Sequence, residues 1–495
     1  MEIVVKSQRG SILDCPKKIA KDINKVCSYR SPGYEFTEAF QAGRWDGWVR
    51  KFTPNHSFPS GLLHRIEKQL KKEGVSYKVR DLRKALYYDE ETVLKNIDDF
   101  GYTLRDYQID GLITGIENPY MIYWWATSAG KTVEFAATIS ALKKSDFMKT
   151  LILVTNKDLA EQHREELGMM LKTKIGLVQE GQFIPAPVTV AVINTMWIKG
   201  ITQKKKEVVN YLKGVECLIV DEAHHMIESK MIRKVVSQCT STMLRHGYSG
   251  SPYSLTVNDI ELECLTGPPL SKVTLTDLIE SGYAARPTVY MYEHPSPYIG
   301  GVSYQTAYRK GIVDNTVRND LIVEKIVKRY EETQRSILVL IRVIKHGNIL
   351  RKLLLENGIQ LGDIEFIHGS TSKYRRHHVK KAFKEKILRI VIASKIWNEG
   401  IDVPAIDTLV KADGGGGGEV KTWEGKGVRS VVQQLGRTVR KPVPVGKDDV
   451  DVEEEHTVEI IDLWDNNHDA LENHTSNRYR TYKLEPGIIV KRIRL

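Results

Sequence analysis

No uninterrupted apolar run of 18 residues occurs in this 495-residue chain, and its opening, MEIVVKSQRG, lacks the apolar stretch of a signal peptide. Neither secretion nor a membrane span is expected. Cysteine is scarce: Cys15, Cys27, Cys217, Cys239 and Cys264 stand far apart, with no C-x-x-C pair and no histidine at ligand spacing. That excludes a disulfide framework and a structural zinc site, and suits a reducing cytoplasm. There is no tandem short repeat. An acidic or disordered chain is excluded too, since hydrophobic residues make up 41% and Lys plus Arg total 73 against 62 Asp plus Glu, a net charge of +11. The excess positive charge points to a polyanion, with RNA, DNA and an anionic membrane surface all open. The length suggests about three domains.

The charge is unevenly placed. Residues 1–88 hold 18 Lys and Arg against 9 Asp and Glu, leaving 55 against 53 for the rest. The N-terminal segment is therefore a candidate polyanion-binding module, because Lys and Arg that neutralise phosphates release condensed counterions. In it, GRWDGWVRK interleaves Trp45 and Trp48 with Arg44, Arg50 and Lys51. Base stacking and core packing are both open to such tryptophans, and a small domain must bury its largest side chains. Leu62, Leu63, Ile66 and Leu70 recur at helical spacing, with Arg65, Lys68, Lys71 and Lys72 on the other face. A small α+β domain over residues 1–98 is expected.

Beyond it, short β-branched runs alternate with helical stretches: MIYWWA, TLILVT, VTVAVIN, ECLIVDEA, then SILVLIR, RIVIAS, DTLVKA and TVEIIDL. Runs of this kind are buried parallel strands, and their number predicts two successive α/β units, residues 99–290 and 291–495, around a loop-rich stretch near 285–310. The first strand runs into Ala126-Thr127-Ser128-Ala129-Gly130-Lys131-Thr132 and a helical stretch. Backbone N–H groups of such a loop can cradle phosphates, while Lys131 meets the β/γ charge and Thr132 holds Mg²⁺. The first glycine of G-x-x-x-x-G-K-T is missing, and an ordinary turn would also fit. Further on, the strand CLIV delivers Asp221-Glu222-Ala223-His224 at its carboxyl end. An Asp there can hold the metal and a Glu can orient the attacking water, although an acidic pair can also cap a helix. The two segments together point to nucleotide hydrolysis. Near the end, Gln433-Gln434-Leu435-Gly436-Arg437-Thr438-Val439-Arg440 sets two arginines three apart on one helix face, where they can clamp a γ-phosphate.

With these segments in place, the chain resembles the superfamily 2 helicases and translocases over nearly everything after residue 100. The resemblance implies tandem RecA-like lobes with ATP and Mg²⁺ as cofactors. It also implies base recognition by Gln108, helped by Arg105, in YTLRDYQ, and a phosphate loop from Thr127 to Thr132. Thr155, Asn156, Asn194 and Thr195 fall in the segments LVTNKDLAEQ and VINTM, which contact the nucleic-acid backbone in such proteins, and His368 and Gly369 of IHGS lie in a further one. Ser249-Gly250-Ser251 matches the segment that couples hydrolysis to movement. Gly400 and Asp402 of IASKIWNEGIDVP would stand near the nucleotide, and Gln433, Arg437 and Arg440 would complete catalysis with Lys131 and Glu222, Asp221 and Thr132 serving the metal.

The N-terminal GYEFTEAFQAGRWDGWVRKF and FPSGLLHRIEKQL resemble the small domain ahead of the motor in UvsW-type phage helicases. That narrower resemblance implies branched or duplex DNA, or an RNA–DNA hybrid, as partner. It also implies single-strand-binding or recombination proteins as companions and the cytoplasm of a phage-infected or bacterial host as location. An RNA helicase, the motor of a restriction or defence complex and a non-hydrolysing DNA-binding scaffold are the rival readings. Two features match no motif: Gly414 to Gly418, five consecutive glycines, and the acidic DDVDVEEE at 448–455.

Overall fold

The computed structural model describes residues 1–144, 146–226, 229–250, 259–332, 336–394, 406–415 and 458–494. It divides into two compact units, residues 1–125 with 130–273, and residues 274–495 with the segment 126–129.

The first unit opens with a sheet of β1 (Glu2–Val5), β2 (Arg9–Leu13), β5 (Ser57–Pro59) and β6 (Lys78–Asp81), in the order β5-β2-β1-β6. β3 (Ser28–Arg30) and β4 (Trp48–Arg50) pair antiparallel beside it. The helix Leu63–Lys72 turns Ile66 and Leu70 into the core, as their spacing predicts. The tryptophans divide: Trp48 is 38% exposed, while the Trp45 indole N–H donates to the Trp48 carbonyl at 2.9 Å. The Asp-Gly between them makes the turn. Asp46 accepts from the Trp48 N–H and from Arg50, and Gly47, at φ 81°, lies so close to the Tyr34 ring that a Cβ would meet it at 2.5 Å.

This small sheet does not stand alone. Its core cluster takes in Ile260 and Cys264 from the helix Asp259–Thr266. On that helix Glu263 receives Arg65, whose Nη2 donates at 2.8 Å, and lies 3.0 Å from His64 Nε2. Glu261 accepts from the Tyr29 hydroxyl at 2.6 Å and pairs with Lys51. Gly61 closes the contact, since a Cβ there would lie 2.0 Å from the Glu263 carbonyl oxygen.

The main sheet of this unit has seven described strands in the order β13-β7-β12-β11-β8-β10-β9, every pairing parallel. They are β7 (Tyr120–Trp125), β8 (Thr150–Val154), β9 (Gly176–Val178), β10 (Val188–Val192), β11 (Cys217–Val220), β12 (Leu244–Ser249) and β13 (Pro269–Val273). Because all run one way, the residues after β7, β12, β11, β8 and β10 emerge along a single edge.

The second unit repeats the plan with β14 (Pro287–Glu293), β15 (Ile337–Leu340), β16 (Ile364–Ile367), β17 (Ile390–Ala393), β18 (Thr408–Lys411), β19 (Val458–Trp464) and β20 (Ile489–Ile493). Their order is β16-β17-β15-β18-β19-β14-β20, again parallel throughout. Alternate residues serve two cores: Leu338 and Leu340 join one cluster, Ile337 and Val339 the other. A sheet covered on both faces has no polar side, which is why its strands appear as continuous apolar runs. β14 lies within the stretch expected to be loop. Its alternating tyrosines hid it, and it is paired on both sides.

At the carboxyl end of β19, Asp465 is fully buried and accepts from Arg318 Nε at 2.6 Å; His294 Nε2 lies 3.1 Å away. Arg478 binds Asp462 through two bonds of 2.8 and 3.0 Å and reaches the Gly415 carbonyl at 3.2 Å, while Arg318 reaches that of Ala412 at 3.0 Å. These cations hold the chain where it leaves β18. Burial would raise the Asp465 pKa, but Arg318, His294 and Arg478 hold it well below the usual carboxylate range.

Asp465→Ala should cost about 3–5 kcal/mol in denaturant unfolding, because it strands buried guanidinium charge. Glu263 supplies a pH test. Its burial would raise the carboxyl, yet Arg65 and His64 hold it down at about 2 against an ordinary 4.5. Its contribution to docking is therefore complete above about pH 4.5 and is lost as pH falls toward 2. Acid titration of stability should be flatter across that window in Glu263→Gln.

Candidate nucleotide site on the first sheet edge

β7 delivers the loop 126–130. Ser128 and Gly130 both adopt positive φ, 79° and 78°, and Gly130 opens the helix Lys131–Ala141. This bend turns the helix N-terminus and its unpaired N–H groups toward the sheet edge, the arrangement that receives phosphate. Gly130 is required there for a second reason: a Cβ would lie 2.6 Å from Gln108 Nε2. Gln108 is buried, and its Oε1 accepts the Arg105 backbone N–H at 2.9 Å, while Arg105 Nη1 donates to the Tyr107 hydroxyl at 2.8 Å. The segment expected to read the base and the end of the loop expected to receive phosphate thus meet at Gln108 and Gly130.

β11 ends two strands away, separated by β12. Lys131 Nζ lies 3.5 Å from Glu222 Oε1, with 14% and 23% of the two side chains exposed. Glu222 sits at φ 46°, a left-handed conformation that a residue with a Cβ adopts at a cost and that clusters at functional sites. Burial would raise its pKa, but Lys131 and His224 hold it well below the ordinary value, so it is a carboxylate at neutral pH. His224 Nδ1 lies 3.3 Å from Glu222 Oε2 and 2.9 Å from the Ser249 hydroxyl at the end of β12. One imidazole therefore joins the acidic segment to the serine of the neighbouring strand.

The residues expected to serve a metal are also joined by a histidine. His163, buried in the helix Lys157–Leu171, places Nε2 3.0 Å from Asp221 Oδ2 and Nδ1 3.4 Å from the Thr132 hydroxyl. Sequence reasoning missed His163. It follows directly on LVTNKDLAEQ, and nothing in its spacing marks it; only the fold sets it between two segments.

The other expected residues fall as follows. Thr155 and Asn156 leave β8, where Asn156 caps a helix by accepting the Leu159 N–H at 2.9 Å. After β10, Asn194 is exposed and Thr195 buried. In the second unit His368 and Gly369 follow β16, with His368 Nδ1 2.8 Å from the Ser370 hydroxyl. Arg44 is exposed, Arg50 is paired with Asp46 and Lys51 with Glu261. Gly400, Asp402, Gln433, Arg437 and Arg440 lie outside the described residues, as do the acidic run 448–455 and all but the first two of the five glycines.

Family models described as type III restriction enzyme, res subunit; helicase conserved C-terminal domain; and DNA helicase UvsW, N-terminal, match residues 101–247, 319–442 and 4–80. The ATP-dependent DNA helicase uvsW of Enterobacteria phage T4 is 22% identical over 455 residues, covering 87% of this chain and 85% of that protein. The DNA 3'-5' helicase XPB of Kineococcus radiotolerans is 23% identical, covering 72% of this chain and 60% of that protein. The chain spans only about half of two haloarchaeal relatives, 54% and 53%. Among solved structures, S. cerevisiae Dbp5 bound to RNA and ADP BeF3 shares the fold, with a TM-score of 0.56 at 17% identity over 81% of this chain and 93% of that one.

Removing the His163 bridge leaves buried Asp221 and half-buried Thr132 short of a partner. His163→Ala should lower stability by about 1–3 kcal/mol, seen as an earlier denaturant midpoint; an unchanged midpoint would mean that the bridge is not held in solution.

Proposed function

The chain belongs to the superfamily 2 helicases, and from that premise we propose an ATP-dependent DNA helicase and translocase that acts on branched DNA, moving forks or Holliday junctions and unwinding R-loops. The observation that carries the DNA assignment is the N-terminal module. It matches the UvsW N-terminal family at residues 4–80, holds most of the chain's net charge and is locked to the first motor lobe through Glu261 and Glu263. A module fixed in this way can engage duplex or branch while the lobes cycle.

On this reading Lys131 exchanges Glu222 for the β/γ-phosphates when ATP arrives, and Glu222, relieved of its ion pair, accepts a hydrogen bond from the attacking water. The Thr132 hydroxyl and the Asp221 carboxylate are hard oxygen donors of the kind Mg²⁺ takes. No group of three or more acidic, His or Cys side chains able to hold a metal occurs among the described residues, which fits an ion that keeps waters and phosphates as its other ligands. Bound there, Mg²⁺ would neutralise phosphate charge. His163 orients its two donors, and His224 transmits the state of Glu222 to Ser249 and the strand β12. Gly400, Asp402, Gln433, Arg437 and Arg440 complete the assignment: the first two beside the nucleotide, the arginines stabilising charge on the departing phosphate. Thr155, Asn156, Asn194, Thr195, His368 and Gly369 follow the track. The setting is the cytoplasm of a phage-infected or bacterial cell, with single-strand-binding or recombination proteins alongside. No described helix is long and apolar enough to cross a membrane.

Glu222→Gln should retain ATP binding while turnover falls by orders of magnitude; undiminished hydrolysis would refute its role. Substrate choice is tested by comparing a mobile Holliday junction, an R-loop and a simple overhang duplex in one ATP-dependent assay. Activity on the first two is expected, and activity on the overhang alone would point to a conventional unwinding enzyme. ATPase stimulation by single-stranded RNA but not by branched DNA would transfer the assignment to RNA.

A further inference from the structure

Averaged over residues 89–495, 55 basic side chains nearly balance 53 acidic ones, but the second unit departs sharply from that average in one helix. Between Ser372 and Arg389 the chain carries eight Lys or Arg and a single acid, Glu385. The helix Lys373–Lys384 occupies most of this stretch, capped by the Ser372 hydroxyl, which accepts the Arg375 N–H at 3.3 Å.

Its inner face is fixed. Val379 and Phe383 are buried in the lobe core with Leu388 from the following turn. The outward face carries Arg375, His377, His378, Lys381 and Lys384, with Lys386 beyond its end. Tyr374 is 75% exposed and its ring lies 4.0 Å from that of His378, centroid to centroid, so an aromatic step sits among the cations. Among the described residues, Glu365 takes Arg375 at 2.9 Å, and Glu385 lies 3.9 Å from Lys381. Exposed pairs of this kind are worth little and exchange readily for phosphate.

We infer that this helix face is a phosphate-binding surface for duplex DNA, separate from the nucleotide site and from the N-terminal module. The inference rests on the DNA-helicase reading and names a second place of grip. Arg375 to Lys384 spans about 14 Å along the helix, the rise of about four phosphates on one strand. The helix starts a few residues after His368 and Gly369, beside the edge strand β16, so the cations lie on the outer margin of the second sheet. A lipid surface does not suit it, because Val379 and Phe383 are turned into the core and Tyr374 alone stands exposed among the cations of the helix.

The test is the salt dependence of binding by the full-length protein to a blunt duplex of random sequence, comparing wild type with the combined Lys381→Ala, Lys384→Ala and Lys386→Ala variant. The slope of log K against log salt should become shallower by about 0.9 for each cation lost, and so by about 2 to 3 in all. The corresponding triple Arg variant should keep the wild-type slope. An unchanged slope in the alanine variant overturns the inference, as does a change seen only with single-stranded DNA or only with an acidic protein. Its failure is distinguishable from failure of the helicase reading, which Glu222→Gln tests through ATP turnover.

Discussion

The pairing of Lys131 with Glu222 is the constraint around which the first lobe is arranged. A lysine at a helix N-terminus opposes the helix dipole, and a partly buried carboxylate in a left-handed conformation is strained; each is tolerable because the other is there. To bring them together, β7 and β11 must run parallel and end on the same edge, with β12 between them. The same ordering places Ser249 beside His224, whose Nδ1 also lies 3.3 Å from Glu222. The charge that phosphate would supply is held meanwhile by a side chain of the protein itself.

The N-terminal module changes meaning when seen on this lobe. Its positive charge suggests a surface wholly available to a polyanion, yet Lys51, Arg65 and His64 face Glu261 and Glu263. Part of the basic character is spent inside the molecule, on docking. The docking helix begins ten residues after Ser249, so the module is seated on the element that follows the strand linked to Glu222. The near-neutral motor, in turn, carries a local concentration of cations at residues 373–386 that averaging conceals.

Much of the fold was legible in the chain. All eight apolar runs became strands, since a strand buried on both faces needs apolar residues throughout. β12 was not legible: Leu244–Ser249 contains Arg245 and His246, both fully buried. Arg245 donates to the carbonyls of Cys239 and Leu265 and to the Thr242 hydroxyl, and His246 Nε2 lies 3.1 Å from the Gly115 carbonyl. Leu265 and Gly115 lie 20 and 131 residues from the side chains they receive, and partners at such separations leave no periodic mark. β14, β16 and β20 were hidden likewise by polar or aromatic alternation at the sheet's margins.

By itself the sequence determined the phosphate loop, the acidic segment and their placement at strand ends, because these depend on local backbone geometry and on short-range spacing. Only the tertiary structure decided which side chains are committed to one another. It set His163 between Thr132 and Asp221, gave Lys51 and Arg65 to docking, and buried Arg318 and Arg478 against Asp465 and Asp462. An ion pair or a bridging imidazole is a matter of a few ångströms between elements, and that distance exists only once the sheets have formed.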